Sequence, residues 1–313
     1  MSAMSTLLRA FTFLVTLLIG AVAAAEQGRQ VAITIDDLPR GGDGVPYDPA
    51  NMRAMTAQLL RPFSEQNIPV IGFVNAGRQG GDAKQLRTIL DMWLDAGADL
   101  GNHSYSHPDI NNLSLPEYLA DIAKGEPAIR DALTARGKKL EFYRHPYLHT
   151  GPTADIKKDL QAFLGRHGYR VAPVTLDNAD YAFAALYPKP EFRERVRREY
   201  VPYMESVVAF FERRSLEVVG HDIPQILLIH ANQMNADLMP DLLGMFRRRG
   251  YTFVTLAQAL ENPAYSLPES YAGPRGISWI HRWSMSKPMA AKEEPGAPEW
   301  VQAGFRELRT GSP

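Results

Sequence analysis

Two histidines four residues apart are the most informative feature of this sequence. His103 and His107 stand in the run Gly-Asn-His-Ser-Tyr-Ser-His, and two imidazoles on a short polar turn can hold one metal ion. Upstream, an apolar strand-like run ends on Asp36 and Asp37, and Pro39 ends the strand. Because side chains alternate along an extended chain, the two carboxylates point in different directions, so one can bind metal while the other carries a proton. These residues together suggest a hydrolase with a His-His-Asp metal site.

Two further polar residues also follow strand-like runs. Arg144 follows residues 141–143, and His230 follows residues 226–229. Each feature has an ordinary structural explanation: adjacent aspartates cap helices or form turns, a histidine can be buried in a core, and an arginine can pair with a surface carboxylate. Catalytic groups of α/β barrels lie at the carboxyl ends of the strands. Since all of these residues occupy such ends, we favour a catalytic site.

The elements that position these residues alternate between strand-like and helical patterns. Strands are predicted at 31–35, 69–74, 99–101, 141–143, 169–174, 225–229 and 251–254. Helices are predicted at 50–66, 83–96, 115–135, 153–167, 190–216 and 236–249, and several end on a glycine typical of a helix C-cap. This alternation predicts an α/β fold with a parallel sheet or barrel.

The sequence divides into three parts. Residues 1–25 contain Arg9 as their one charged residue, an apolar run and a closing Ala-Ala-Ala, which predicts a cleaved signal peptide, with an uncleaved anchor as the minority alternative. Residues 26–262 have the size of one barrel domain. Prolines interrupt residues 263–313, which we expect to be a mostly irregular extension with one short helix at 299–309. Its aromatic run at 276–283 either packs on the barrel, which we favour, or stacks on a sugar.

Composition narrows the classes of function. Removal of the signal peptide leaves 33 basic and 35 acidic residues, since the whole chain has 34 and 35, so the basic excess of a nucleic-acid-binding protein is missing. Beyond the signal peptide the sequence has no run of roughly 20 apolar residues that would span a membrane. The chain has no cysteine, so a zinc site must use nitrogen and oxygen ligands. The mature protein is expected in the periplasm or outside the cell.

Five short stretches resemble, in order, the motifs of one enzyme family. Residues 34–39 (TIDDLP) resemble T-F-D-D-G-P, residues 103–108 (HSYSHP) resemble H-[ST]-x-x-x-H, and residues 144–147 (RHPY) resemble R-x-P-[YF]. Residues 180–181 are similar to its Asp-Trp motif, and residues 227–230 (LLIH) to L-x-x-H. The sequence thus resembles the polysaccharide deacetylases, the NodB-homology or carbohydrate esterase family 4 enzymes. The resemblance implies an irregular (β/α) barrel of about seven strands and metal-dependent removal of acetyl groups from carbohydrate.

The resemblance also implies a metal site. Carried over by position, Asp37, His103 and His107 would be the ligands. Zinc is the expected ion, because two histidines, one carboxylate and an open position for water describe a catalytic zinc site. Cobalt, nickel or manganese could substitute.

Further roles follow from the same resemblance. Asp36 would be the general base that takes a proton as a metal-bound water attacks the acetyl carbonyl, and Arg144 would keep Asp36 ionised. The backbone N–H of Tyr147 would help the metal to stabilise the oxyanion.

Four residues are assigned to the leaving group and the acetyl methyl. His230 would be the general acid that protonates the departing amine or alkoxide, and Asp180 would pair with it and raise its pKa. Tyr181 and Leu227 would wall the pocket for the acetyl methyl.

The leading hypothesis is an exported deacetylase acting on the N-acetyl groups of chitin oligomers or peptidoglycan. O-deacetylation of a polymer such as acetylxylan uses the same residues and stays open. A non-haem iron oxygenase also uses two histidines and a carboxylate, but its usual β-helix scaffold does not fit the βα alternation. A non-catalytic carbohydrate-binding relative would normally have lost a catalytic residue, and none is missing here.

Overall fold

The structure is a computed structural model that describes residues 28–45, 47–78 and 82–311. The predicted signal peptide, residues 1–25, lies outside the described residues. Within the described ranges, no helix combines the length and apolar character that a membrane crossing needs.

Seven parallel strands form one sheet. The strand order is β5-β4-β3-β2-β1-β6, and β7 pairs with the start of β1. A parallel bridge joins Leu176, shortly after β5, to Leu227 in β6, so the sheet curls until its two sides meet. The predicted α/β fold with an irregular (β/α) barrel is confirmed. The strands are β1 Gln30–Leu38, β2 Val70–Val74, β3 Asp99–Asn102, β4 Phe142–Tyr143, β5 Arg170–Val171, β6 Gln225–His230 and β7 Thr252–Phe253.

In the described ranges, ten α-helices surround the sheet or follow it. The six predicted helices correspond to α1, α2, α3, α4, α6 and α7 of the structure. Local sequence explains their ends: Asp48 caps α1, and Gly220 adopts a left-handed conformation after α6. The helices are α1 Pro49–Glu65, α2 Ala83–Asp95, α3 Leu115–Thr134, α4 Ala154–Arg166, α5 Asp180–Leu186, α6 Pro190–Val219, α7 Gln233–Arg248, α8 Leu256–Ala259, α9 Trp279–Met285 and α10 Glu299–Thr310.

The alternation of side chains on β1 and β6 separates two hydrophobic clusters. Residues facing outward, such as Ile33 and Leu227, pack with the surrounding helices. Residues facing inward, such as Ala32 and Ile226, form a small cluster with Phe73 and other side chains inside the curled sheet. Polar residues of β1 and β6 continue this inward face toward the carboxyl ends of the strands. The barrel interior therefore has an apolar floor beneath a polar mouth.

The C-terminal extension contains more regular structure than its prolines suggest. Its predicted helix is present as α10, and a second short helix, α9, was not predicted. Trp279 and Trp283 of α9 are buried, and Arg282 donates hydrogen bonds to Leu148 and Thr150 of the barrel. The aromatic run therefore packs on the barrel and offers no sugar-stacking platform. These tertiary contacts stabilise a helix too short to be stable by itself.

Candidate metal centre and active site

The structure brings Asp37, His103 and His107 together at the barrel mouth. Asp37 Oδ1 lies 3.7 Å from His103 Nε2 and 3.5 Å from His107 Nε2, and one ligand atom from each residue lies within 4.8 Å of the others. These distances are long for hydrogen bonds but suit atoms that each lie about 2 Å from one shared ion. Asp37 Oδ1 is also buried, with no hydrogen-bond partner in the described part of the chain. The three residues therefore fit a divalent metal.

Neighbouring groups prepare the two imidazoles to act as ligands. His103 Nδ1 lies 2.8 Å from the carbonyl oxygen of Arg144, which can only accept, so Nδ1 carries the proton and the Nε2 lone pair faces Asp37. Burial and the neighbouring His107 hold the pKa of His103 well below its usual range. Burial also lowers the pKa of His107. Both rings are neutral, the form that binds metal.

Asp37 has a partner that sequence reasoning missed. Arg78 Nη2 lies 3.0 Å from Asp37 Oδ2. Burial opposes ionisation of Asp37, but the guanidinium of Arg78, followed by the nearby imidazoles, outweighs it and lowers the pKa of Asp37 to about 2. Arg78 follows the carboxyl end of β2, the position that drew attention to the other site residues. The backbone of Asp37 is left-handed, with φ of 68°. The carboxylates of Asp36 and Asp37 both lie 3.7 Å from His103 Nε2, so they meet at one site.

Asp36 is buried beside Arg144 in the barrel. Arg144 Nη1 lies 3.5 Å from Asp36 Oδ2, and Arg144 Nη2 donates to Thr34 Oγ1 at 2.8 Å. Among the residues that the structure describes, none forms a hydrogen bond with Asp36 Oδ1. Burial raises the pKa of Asp36 to about 6, although the charges of Arg144 and His230 oppose the increase. A carboxylate with one orienting arginine and one free oxygen suits a group that accepts a proton.

His230 and Asp180 form a second, separate pair. His230 Nδ1 lies 2.7 Å from Asp180 Oδ1, and the backbone N–H of His230 donates to Asp180 Oδ2 at 2.9 Å. Asn235 Nδ2 donates to the same Oδ2 at 2.9 Å. Burial disfavours the charged imidazole, but the carboxylate of Asp180 outweighs it and raises the pKa of His230 to about 9. His230 is therefore protonated at neutral pH with Nε2–H available to a ligand.

Tyr147 and Tyr181 are exposed at the cavity, by 54% and 47% respectively. The Tyr147 ring packs edge-on to His107 with centroids 4.4 Å apart. The ring centroids of Tyr181 and His230 lie 6.5 Å apart. The placement of Leu227 in the cavity wall is wrong: Leu227 faces the outer helices, and Leu228 lines the cavity instead, because alternation puts Leu228 on the same strand face as His230.

All the polar site residues except buried Asp180 and Arg144 line one cavity of about 780 Å³. Sequence reasoning also missed part of this lining. Asp177 precedes α5, and Glu294, Phe305 and Arg309 come from the C-terminal extension.

The comparisons with known proteins agree with this geometry. A model of the polysaccharide deacetylase family matches residues 23–172. Over this range, just under half of the chain, the protein is similar to the polysaccharide deacetylase family. The matched range contains the candidate metal ligands, the candidate base Asp36 and the Arg144 to Tyr147 turn. Asp180, His230 and the C-terminal extension lie beyond it.

Two proteins named chitin deacetylase are similar to this chain in sequence. A chitin deacetylase of Colletotrichum lindemuthianum is 26% identical over 234 residues, which cover 74% of this chain and 79% of the relative. A chitin deacetylase of Pestalotiopsis sp is 27% identical over 128 residues, 41% of this chain and 40% of the relative.

A solved structure supports the fold. A mutant of a CE4 family pseudoenzyme, whose wild type comes from Bacillus anthracis, superposes with a TM-score of 0.51 at 18% identity. The superposition covers 75% of this chain and 68% of the other. At this identity the likeness concerns the fold alone.

Proposed function

We propose that this protein is an exported, divalent-metal-dependent deacetylase that hydrolyses the N-acetyl groups of an amino-sugar polymer such as chitin oligomers or peptidoglycan. One observation carries the proposal: a His-His-Asp triad, a buried carboxylate, Asp36, and an imidazole with a raised pKa, His230, all line a single cavity. Two relatives that carry the name chitin deacetylase support the amino-sugar class.

The metal would be held by Asp37, His103 and His107, and zinc suits this set of donors best. When bound, a divalent ion supplies Lewis acidity that activates water at neutral pH and polarises the acetyl carbonyl. Every other task belongs to side chains of the protein.

Asp36 accepts the proton of the attacking water. Its Oδ1 is buried and has no hydrogen-bond partner among the described residues, whereas its Oδ2 faces Arg144. The arginine thus fixes the rotamer of the carboxyl group and leaves Oδ1 for the proton. Arg144 itself is held by Thr34 and lies over the Phe73 ring, so the geometry of the base is set before substrate arrives.

His230 delivers a proton to the departing nitrogen. Its Nδ1–H is fixed on Asp180, so Nε2–H points to the cavity. An amine leaves far more readily when it is protonated. Because the pKa of His230 is raised to about 9, the acid form is present at neutral pH. Separate groups for the base and the acid suit amide hydrolysis, in which both ends of the bond need a proton transfer.

The decisive experiment is acetate release by the chain from residue 26 onward, loaded with zinc. Chito-oligosaccharides and peptidoglycan test the amide, and acetylxylan tests the ester. We expect release from an N-acetylated substrate that stops when the metal is removed by chelation and returns when zinc is added. Release from acetylxylan alone would show an ester substrate. No release from any substrate by a zinc-loaded protein would contradict the deacetylase proposal.

Export is proposed on the sequence of residues 1–25 alone. Expression of the full chain in a bacterial host, followed by cell fractionation and mass measurement, tests it. We expect a mature protein that begins near Glu26 in the exported fraction. A full-length product in the cytoplasm would contradict export.

A further inference from the structure

The C-terminal extension supplies one wall of the cavity. This wall consists of the loop 294–297 together with Phe305 and Arg309 of α10. Phe305 and Arg309 are four residues apart and therefore share one face of the helix, with the Arg309 guanidinium 5.9 Å from the Phe305 ring. Helix α10 presents that face to the substrate side. We call these residues the C-terminal wall.

The C-terminal wall is anchored firmly to the barrel helices. Val301 of α10 is fully buried, and Trp300 Nε1 donates to Glu199 Oε2 of α6 at 2.7 Å. Gly304 lies so close to α5 that a Cβ there would be 2.9 Å from a methyl carbon of Leu186. These contacts fix the position of the wall, so it is part of the site's shape in the absence of substrate.

The wall lies at the end of the cavity that contains His230. Tyr181 stands between them, with its ring centroid 6.5 Å from that of His230 and 5.4 Å from that of Phe305. Asp177 lies near Glu294 of the wall: burial, and then the charge of Glu294, raise the pKa of Asp177 to about 7. Tyr147, by contrast, contacts His107 in the metal triad.

The cavity has the size of a site for a small ligand. Its volume of about 780 Å³ lies within the range of about 300–1,000 Å³ that is usual for sites enclosing one small molecule. A groove that binds the interior of a long polymer needs an exit at each end. The wall lines the cavity on one side and carries charged groups, Glu294 and Arg309, that can bond to the hydroxyls of a last sugar unit.

We propose that the C-terminal wall closes the cavity at its His230 end, so that the site takes the end of a sugar chain or a short oligosaccharide and excludes the interior of a polymer. This inference rests on the proposed deacetylase function and names the form of its substrate. Phe305 and Arg309 are the residues that decide this specificity, because they form the face of α10 at the closed end.

The test measures binding of short N-acetylglucosamine chains that carry a bulky label at either the reducing or the non-reducing end. Titration calorimetry with the Asp36→Asn variant avoids turnover. We expect one of the two labels to weaken binding by about tenfold or more relative to the unlabelled chain, because that label meets the wall. Equal binding of both labelled chains and the unlabelled chain would overturn the inference.

Two variants in the same background show whether the wall is responsible. Phe305→Ala with Arg309→Ala should restore binding of the excluded chain to within about threefold of the unlabelled one. Arg306→Ala, an exposed arginine of the same helix outside the cavity lining, is the matched control and should leave exclusion unchanged. Exclusion that persists in the double variant would also overturn the inference.

The position of acetate loss separates this inference from the proposed function. In wild-type enzyme, mass spectrometry of a labelled oligomer should show deacetylation at a terminal unit, and the double variant should also modify internal units. Deacetylation spread evenly over internal units by the wild type would refute the wall's role while leaving the deacetylase intact. Oligomers that neither bind nor lose acetate would refute the deacetylase proposal, and the inference with it.

Discussion

Asp180 binds His230 twice, through the ring Nδ1 at 2.7 Å and through the backbone N–H at 2.9 Å. One fully buried carboxylate thus fixes both the rotamer of the imidazole and the backbone that carries it. The two contacts make Asp180 a positioning residue for the candidate acid.

Asp180→Asn should therefore change the pH dependence as well as the rate. The raised pKa of His230, about 9, keeps its acid form present below that value and loses it as pH rises further. Without the carboxylate, the alkaline limb of the kcat/KM profile should move from about 9 toward about 6.5, and kcat/KM at neutral pH should fall by about 10²–10⁴-fold. A lower rate with an unshifted limb would mean that Asp180 acts only on stability.

Substitutions of the adjacent residues Asp36 and Asp37 should have different effects on activity and on metal binding. Asp36→Asn should reduce acetate release by about 10²–10⁴-fold while the protein keeps its metal, because Asp36 is assigned the proton and no ligand position. Asp37→Asn should lose both metal and activity. Metal content by mass spectrometry, measured beside acetate release, checks both variants, and full activity of Asp36→Asn would remove the base assignment.

Arg78 should strengthen metal binding through Asp37. Its guanidinium lies 3.0 Å from the Asp37 oxygen that does not face the histidines. Arg78→Gln should weaken zinc affinity by about 10- to 100-fold, the usual effect of losing a partner of a metal ligand. Competition with a chromogenic chelator measures the affinity, and Arg61→Gln on the exposed side of α1 is the control. An unchanged zinc affinity would mean that Arg78 lines the cavity without supporting the metal ligand Asp37.

Arg282 should be important for stability. It is fully buried and donates to the carbonyl of Ile277, the carbonyl of Leu148 and the hydroxyl of Thr150. Arg282→Met leaves these acceptors unpaired and should lower the free energy of unfolding by about 2–5 kcal/mol. Urea unfolding measures the change, with the exposed Arg275→Met as control. Equal midpoints for the two variants would contradict this account.

Much of the barrel could be predicted from local sequence. Several of the strands, such as β2 and β6, are short apolar runs. Polar residues at strand ends indicated the candidate metal triad, Asp36, Arg144 and His230. Arg78 was missed, although the same reasoning about strand ends applies to it.

Other features depend on contacts that a sequence pattern does not reveal. Leu227 and Leu228 are the same residue type, and only the strand face decides which one lines the cavity; counting back two residues from His230 would have selected Leu228. Helix α9 is short and lies among prolines, so its stability comes from the burial of Trp279 and Trp283 and from Arg282. The C-terminal wall depends on packing between segments far apart in sequence.

The contact between Arg282 and the Leu148 carbonyl links residues 134 positions apart. Gly276 makes a second close contact with the same turn: a Cβ at that position would overlap the carbonyl oxygen of Tyr147. On the ribosome, every residue of the five motifs is made before either contact can form. A nascent chain that has passed His230 thus holds the whole catalytic set without the brace behind the Tyr147 turn, so completion of the active site is a late event in the synthesis of this protein.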